Sequence, residues 1–251
     1  MKAAKALVFP VVLIILAEIG ARAGGPSDSV APPSEIFATF LDALRDGSLL
    51  AATRDTLISA FAGLLVGAGL GLAVGLALGS IRTLDRLLEL ALELLRPVPS
   101  VAVIPIALVA LGFSYSLEIA IVAVACFWPL LILSRAAVRG VELRLIEVAR
   151  ALRLSPLQET LKIVAPAALP RIFVAFRLAA GVSLVVAVTV EIAVNPQGLG
   201  YEAMTAGQAL RPALMLAYVA WIGVVGYALN VLLILAQHRL FGQAGRVEAA
   251  R

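Results

Sequence analysis

The sequence predicts an all-α integral membrane protein with six transmembrane helices and one long polar loop, and three observations lead to that fold class. The first is composition. The 251 residues are 62% hydrophobic and 14% charged, with a mean hydropathy of +1.03, whereas soluble domains average about 45–50% apolar and about 25% charged. The second is where the charges fall. Arg82, Arg86, Arg135, Arg139, Arg144, Arg150, Arg153, Lys162 and Arg171 all fit on one side of a six-span topology, against Arg22, Arg45, Arg54 and Arg211 on the other. That bias follows the positive-inside rule, so the net charge of +4 reports topology rather than affinity for nucleic acid. The third is residues 141–170, a polar stretch between two greasy runs.

Several chemistries are excluded at once. Cys126 is the lone cysteine and His238 the lone histidine, so a disulfide framework, a cysteine or histidine-cluster metal site and a Ser-His-Asp triad are not available within one chain. Lys2, Lys5 and Lys162 are the only lysines and none follows a glycine, so there is no phosphate-binding loop and the chain does not hydrolyse ATP that way. No catalytic residue, metal ligand or bound cofactor is expected.

The chain reads as a single membrane domain, 1–251. Residues 6–20 form the first span, with the N-terminus inside; this run also resembles a signal peptide, but no clean small-residue cleavage site closes it. Residues 21–55 are external: a Gly/Pro/Ser-rich linker, then an amphipathic stretch carrying Ile36, Phe37, Phe40, Leu41 and Leu44 on the outer surface. The core is 56–240. Its first helix, Thr56–Ser80, carries Gly63, Gly67, Gly71, Gly75 and Gly79, small residues on one face at every fourth position. They serve either close packing on a neighbouring helix or a substrate path lined by backbone.

Residues 81–96 mix charge with leucine at helical period and belong to the inner interface. Pro97, Pro99 and Pro105 then open the third span; they either kink a packed helix or free carbonyls beside a cavity. Gly112 makes an outer turn, and Glu118 opens a fourth span running to about Leu133. Arg171–Val194 is the fifth span, with Arg177 two turns inside and Glu191 near its outer end. About 21 Å separates them along a helix, so they cannot pair with each other. Glu191 either lines a cavity or gate, or hydrogen-bonds a neighbouring helix; Asn195 and the glycines after it are turn chemistry. Pro212–Ala236 is the sixth span, followed by a short solvated tail.

The polar loop, 141–170, has structure of its own. Val141, Leu145, Val148 and Leu152 recur at helical spacing. Ser155, Pro156 and Gln158 then signal a new helix, with Ser155 as N-cap, Pro156 at the first helical position and Gln158 completing a capping box. Leu157, Leu161 and Val164 give it an apolar face, and Pro166 and Pro170 are expected to interrupt it. Two short helices joined by a bend make a rigid knob suited to docking.

Glu147-x-Ala149 followed by Ile163-x-x-Pro166 resembles the EAA loop of ABC-importer permeases, whose pattern is EAA, three residues, G, nine residues and I-x-L-P. Val148 stands for the second-position Ala, Arg153 for the Gly and Ala165 for the Leu. Arg153 therefore either adopts a left-handed conformation at a cost of about 1–2 kcal/mol, or the first helix runs on to Pro156. The proline-rich third span and Glu191 with Asn195-x-x-Gly198-Leu199-Gly200-Tyr201 are similar to the same family, so the likeness covers about residues 55–240. It is nearest the nitrate, sulfonate, taurine and thiamine-precursor group.

The resemblance implies a type I ABC importer permease fold in a bacterial inner membrane, with both termini cytoplasmic. It implies a second permease, identical or paralogous, and two copies of an ATPase subunit that carry ATP and Mg. A periplasmic or lipid-anchored binding protein would deliver a small solute. Glu147, Ala149, Arg150, Arg153, Ser155 and Pro156 would transmit ATPase movement, while Pro97, Pro99, Pro105, Glu191 and Asn195 would line or gate the path. An ion-coupled secondary transporter and a membrane component of an energy-coupling-type vitamin importer are the competing readings; an intramembrane enzyme lacks a nucleophile–base pair.

Overall fold

The computed structural model describes residues 2–24 and 30–241. Residues 25–29 of the expected linker and the tail 242–251 lie outside the described residues, as do the side chains of residues 2–7 and of Arg150. The elements, in order, are α1 (Lys2–Ala23), α2 (Pro33–Arg45), α3 (Ser48–Ser80), α4 (Arg82–Leu95), a 3-10 turn (Ser100–Val103), α5 (Ile104–Leu111), α6 (Tyr115–Arg139), α7 (Leu143–Ala151), α8 (Pro156–Glu159), a π turn (Thr160–Val164), α9 (Ala165–Ala193), α10 (Gly198–Gln208) and α11 (Pro212–Phe241). Every described element is helical. They divide into two compact units, one drawn from the described parts of Met1–Thr56 and Glu191–Val225, the other from those of Leu57–Val190 and Gly226–Arg251.

In the second unit, α3 packs on α6 along its glycine face. A Cβ built on Gly63 would fall 2.5 Å from Val122 Cβ, one on Gly71 2.5 Å from the Phe127 carbonyl oxygen, one on Gly75 2.7 Å from that of Leu131, and one on Gly79 2.6 Å from Val138 Cβ. At Gly67 the backbone of Ala123 fills the space. Any side chain there would push the helices apart, which is why small residues recur at this spacing. The contacts climb in the same direction along both helices, so α3 and α6 run parallel. The chain must therefore cross the membrane once between them.

That crossing is not the straight third span the sequence predicts. Among the described residues, four helices are long and apolar enough to cross a membrane: α3, α6, α11 and the continuous run Pro156–Ala193. The pair formed by α4 and Ser100–Leu111 makes a fifth, bent by 81°. The bend sits at Pro97-Val98-Pro99, where two missing N–H donors and two fixed φ angles rule out a helix, and Pro105 then occupies the first turn of α5. The 3-10 turn and α5 together rise only about 20 Å, so this crossing is short and broken. The expected first span, 6–20, falls within α1, which contains Pro10.

On the far side of the unit, α9 and α11 are antiparallel. Phe173 meets Phe241 at 5.3 Å, Arg177 Nη1 donates to Gln237 Oε1 at 3.2 Å, and a Cβ on Gly226 would touch Leu184. The core between α3, α6 and α9 is lined by Ala60, Leu64, Val122, Cys126, Leu130, Ala175, Ala179 and Ala187. Cys126 is a buried, free thiol whose Sγ lies 3.5 Å from the Ala179 carbonyl.

In the first unit, Glu18 ties the end of α1 to the start of α2. It accepts from the Ser34 N–H (2.9 Å), the Ser34 hydroxyl (2.8 Å) and Arg22 Nε (2.5 Å). The opening turns of α3 are held to α11 by Trp221 Nε1–H donating to Thr53 Oγ1 (2.8 Å) and by the Tyr218–Ser48 hydroxyl pair (3.3 Å). Phe40 of α2 packs 5.5 Å from Trp221. In the loop before α3, the Ser48 N–H donates to Asp46 Oδ1 (2.8 Å) and holds that carboxyl below the usual carboxylate range.

Candidate functional site: the knob between α6 and α9

The loop at 141–170 folds as two short helices around a sharp bend. α7 ends in a Schellman arrangement. The Leu152 N–H reaches the Val148 carbonyl, the Leu154 N–H reaches back to the Ala149 carbonyl at 3.1 Å, and Arg153 between them has φ +51°. Of the two expectations for Arg153, the left-handed conformation is the one observed. The residue occupies the position where a helix end most often places glycine, because a Cβ there crowds the backbone.

Two residues later the capping box is complete. The Gln158 N–H donates to Ser155 Oγ (3.3 Å), the Ser155 N–H donates to Gln158 Oε1 (3.2 Å), and Pro156 stands at the first helical position. Pro166 and Pro170, however, do not interrupt the helix; it runs unbroken from Pro156 to Ala193. The reason is the π turn at Thr160–Val164, in which the Ala165 N–H bonds the Thr160 carbonyl five residues back. Opening the ladder just before Pro166 accommodates the residue that cannot donate.

The π turn also shifts the phase of the apolar face. Val164, Ala168 and Ile172 are buried, while Leu157 (68% exposed) and Leu161 point outward. In α7 Ala149 is fully buried, while Leu145, Val148 and Leu152 are exposed, with Leu143 beside them. The apolar stripe of α7 and α8 thus faces away from the rest of the chain, and Glu147 is exposed beside it. Arg150 lies on α7, with its side chain outside the described residues.

Three contacts that the sequence reading missed lie around the knob: one joins α4 to α6, and two fasten the knob itself. Asp85, 3% exposed on α4, receives two arginines from the C-terminal end of α6. Arg135 grips it twice, Nε at 2.5 Å from Oδ1 and Nη2 at 2.8 Å from Oδ2; Arg139 Nη2 meets Oδ2. Arg135 Nη2 also lies 3.5 Å from Glu89. Burial makes a lone carboxylate costly at this place, and the two guanidiniums supply the opposite charge that offsets it. Gly140, which ends α6, accepts from Arg171 Nη1 at 3.1 Å, and a side chain at 140 would collide with that guanidinium. The Thr160 hydroxyl is hydrogen-bonded to that of Ser80 (3.3 Å). The signal that was available is the i,i+4 pairing of acids at 85 and 89 against bases at 135 and 139.

The other predicted residues fall into two places. Pro97 and Pro99 form the bend after α4, and Pro105 opens α5. In the first unit, Glu191 is buried and its Oε2 accepts from the Gly200 N–H at 2.8 Å. The bond joins α9 to the start of α10, where a helix favours negative charge. The Leu199 N–H donates to the buried Thr56 hydroxyl at 2.9 Å. Gly198 has φ +90°, and Glu191 fills the space a Cβ would need. Asn195 is buried next to this clasp. Among the described residues no group of three or more His, Cys, Asp or Glu is placed to hold a metal ion.

Comparison with known proteins identifies this architecture. The family described as "Binding-protein-dependent transport system inner membrane component" matches residues 63–244. The aliphatic sulfonates transport permease protein SsuC of Bacillus subtilis is 32% identical over 223 residues, 88% of this chain and 81% of that one. The taurine transport system permease protein TauC of Escherichia coli is 30% identical over 209 residues, 83% of this chain and 74% of its own. The bicarbonate transport system permease protein CmpB of Synechococcus elongatus is 32% identical over 184 residues, 73% of this chain and 63% of its own. In fold, a chain of the inward-facing MetNI methionine ABC transporter superposes with a TM-score of 0.69 at 20% identity, covering 76% of this chain and 95% of that one. The chain belongs to the inner-membrane permease family of binding-protein-dependent ABC importers.

Proposed function

We propose that this permease works as one of a pair, identical or paralogous, and that α7 and α8 seat in a groove on a cytoplasmic ATPase subunit. Two copies of that subunit bind ATP and Mg and supply the hydrolysis. The observation that carries this reading is the outward apolar stripe of Leu143, Val148, Leu152, Leu157 and Leu161 on a knob that is otherwise capped and fastened. An apolar surface mounted rigidly on a polar loop is built for a protein partner. The N- and C-termini and the knob lie on the cytoplasmic side, and a binding protein delivers cargo from the other.

The cargo we propose is a small solute bearing an oxyanion. The related permeases are named for sulfonates, taurine and bicarbonate, all small and all carrying such a group. Pro97, Pro99, Pro105, Glu191 and Asn195 belong to the path and the elements that gate it. Nothing in the helices favours the ion-coupled alternative.

The test is co-purification of the wild type and Glu147→Arg with the ATPase encoded beside this gene, followed by hydrolysis in lipid. The wild type retains the ATPase; the variant, with a reversed charge beside the apolar stripe, loses it or hydrolyses ATP without uptake. A wild type that captures no ATPase and transports on an ion gradient would sink the reading.

A further inference from the structure

We propose that Asp85 is the positioning residue that links the docking knob to the broken third span. The inference rests on the reading of α7 and α8 as the ATPase-docking segment. Only Gly140, Val141 and Glu142 separate the end of α6 from the start of α7, so a push on α7 arrives first at Gly140 and Arg139. At that level Asp85 grips Arg135 and Arg139 together, although the acid and the two bases sit on different helices, 50 and 54 residues apart in sequence. α4 must therefore follow the C-terminal end of α6.

Beyond α4 the chain turns through 81° at Pro97-Val98-Pro99 before entering α5. Two prolines stiffen that corner, so α4 acts as an arm and the corner as its elbow. Moving α4 at Asp85 re-aims α5, the element that crosses between the parallel α3 and α6. Without the carboxylate, Arg135 and Arg139 lose the acid that holds them together, Arg135 keeping Glu89 at 3.5 Å, and α4 is released from α6. The leucine face of α4, with Leu87, Leu90 and Leu94 exposed, then gives it no other hold of comparable direction. Arg171 on the Gly140 carbonyl and Thr160 on Ser80 keep the knob in place in either case, so loss of Asp85 separates transmission from docking.

The experiment uses the complete importer, with its ATPase and binding protein, reconstituted in liposomes. Wild type, Asp85→Asn, Asp85→Glu and Arg139→Gln are compared for retained ATPase, for hydrolysis, and for solute taken up per ATP hydrolysed. Asp85→Asn and Arg139→Gln are expected to retain the ATPase while uptake per ATP falls about tenfold, a coupling change within the usual range. Asp85→Glu, which keeps the charge, stays closer to wild type than Asp85→Asn. Should Asp85→Asn fail to fold, the half-exposed Arg139 carries the test alone. Unchanged uptake per ATP, loss of the bound ATPase in Arg139→Gln, or equal losses in all three variants would each overturn the role of Asp85. A wild type that binds no ATPase would instead overturn the docking reading itself.

Discussion

Arg153 shows how one side chain tolerates a place made for another. Its φ of +51° costs an L-residue about 1–2 kcal/mol, and the Schellman bonds around it hold the conformation. Arg153→Gly is expected to remove that cost while loosening the unfolded chain, for a net gain of about 0.5–1 kcal/mol. Arg153→Val, β-branched at a left-handed position, is expected to lose at least about 1 kcal/mol. Thermal unfolding of the purified protein in detergent ranks the three. Gly198 is stricter: at φ +90° and with the Glu191 carboxylate where a Cβ would go, Gly198→Ala is expected to cost about 2–3 kcal/mol, read in the same assay. Both sites were legible in the sequence as places of turn chemistry. What the residues alone left open was the φ at Arg153, since an arginine carries no mark of a left-handed bend.

The helices divide by how local their determinants are. α8 begins where Ser155, Pro156 and Gln158 say it does, because a capping box is satisfied by its own neighbours. α9 does not stop at Pro166 or Pro170, because the π turn that accommodates Pro166 arises from the ladder ahead of it. The apolar stripes of α7 and α8 were visible as periodicity, but period alone gives a face and not its direction; the burial of Ala149 beside an exposed Val148 could not be read from spacing. α3 allows a clean test of its glycine face. Gly71→Val would drive a branched side chain into Phe127 and Leu130, with an expected loss of about 1–3 kcal/mol. Gly69 has nothing within 4 Å of a built Cβ, so Gly69→Ala should be neutral or gain up to about 1 kcal/mol from helix propensity. Unfolding temperature and the fraction of monodisperse protein distinguish the two.

At the scale of the molecule, the all-helical membrane fold class follows from composition and charge placement, the bend of the third crossing is local to Pro97 and Pro99, and the Asp85 cluster depends on a pairing between distant segments. The glycine face of α3 carries a mechanical consequence. With Val122, Ala123, Leu131 and Val138 seated against successive glycines, α3 and α6 mesh like a rack and its pinion teeth. A slide of one helix along the other by less than a full turn, about 5.4 Å, runs a side chain into backbone. Whatever stroke the knob delivers, this pair can answer it by tilting as one plate, and shear between them is mechanically locked out.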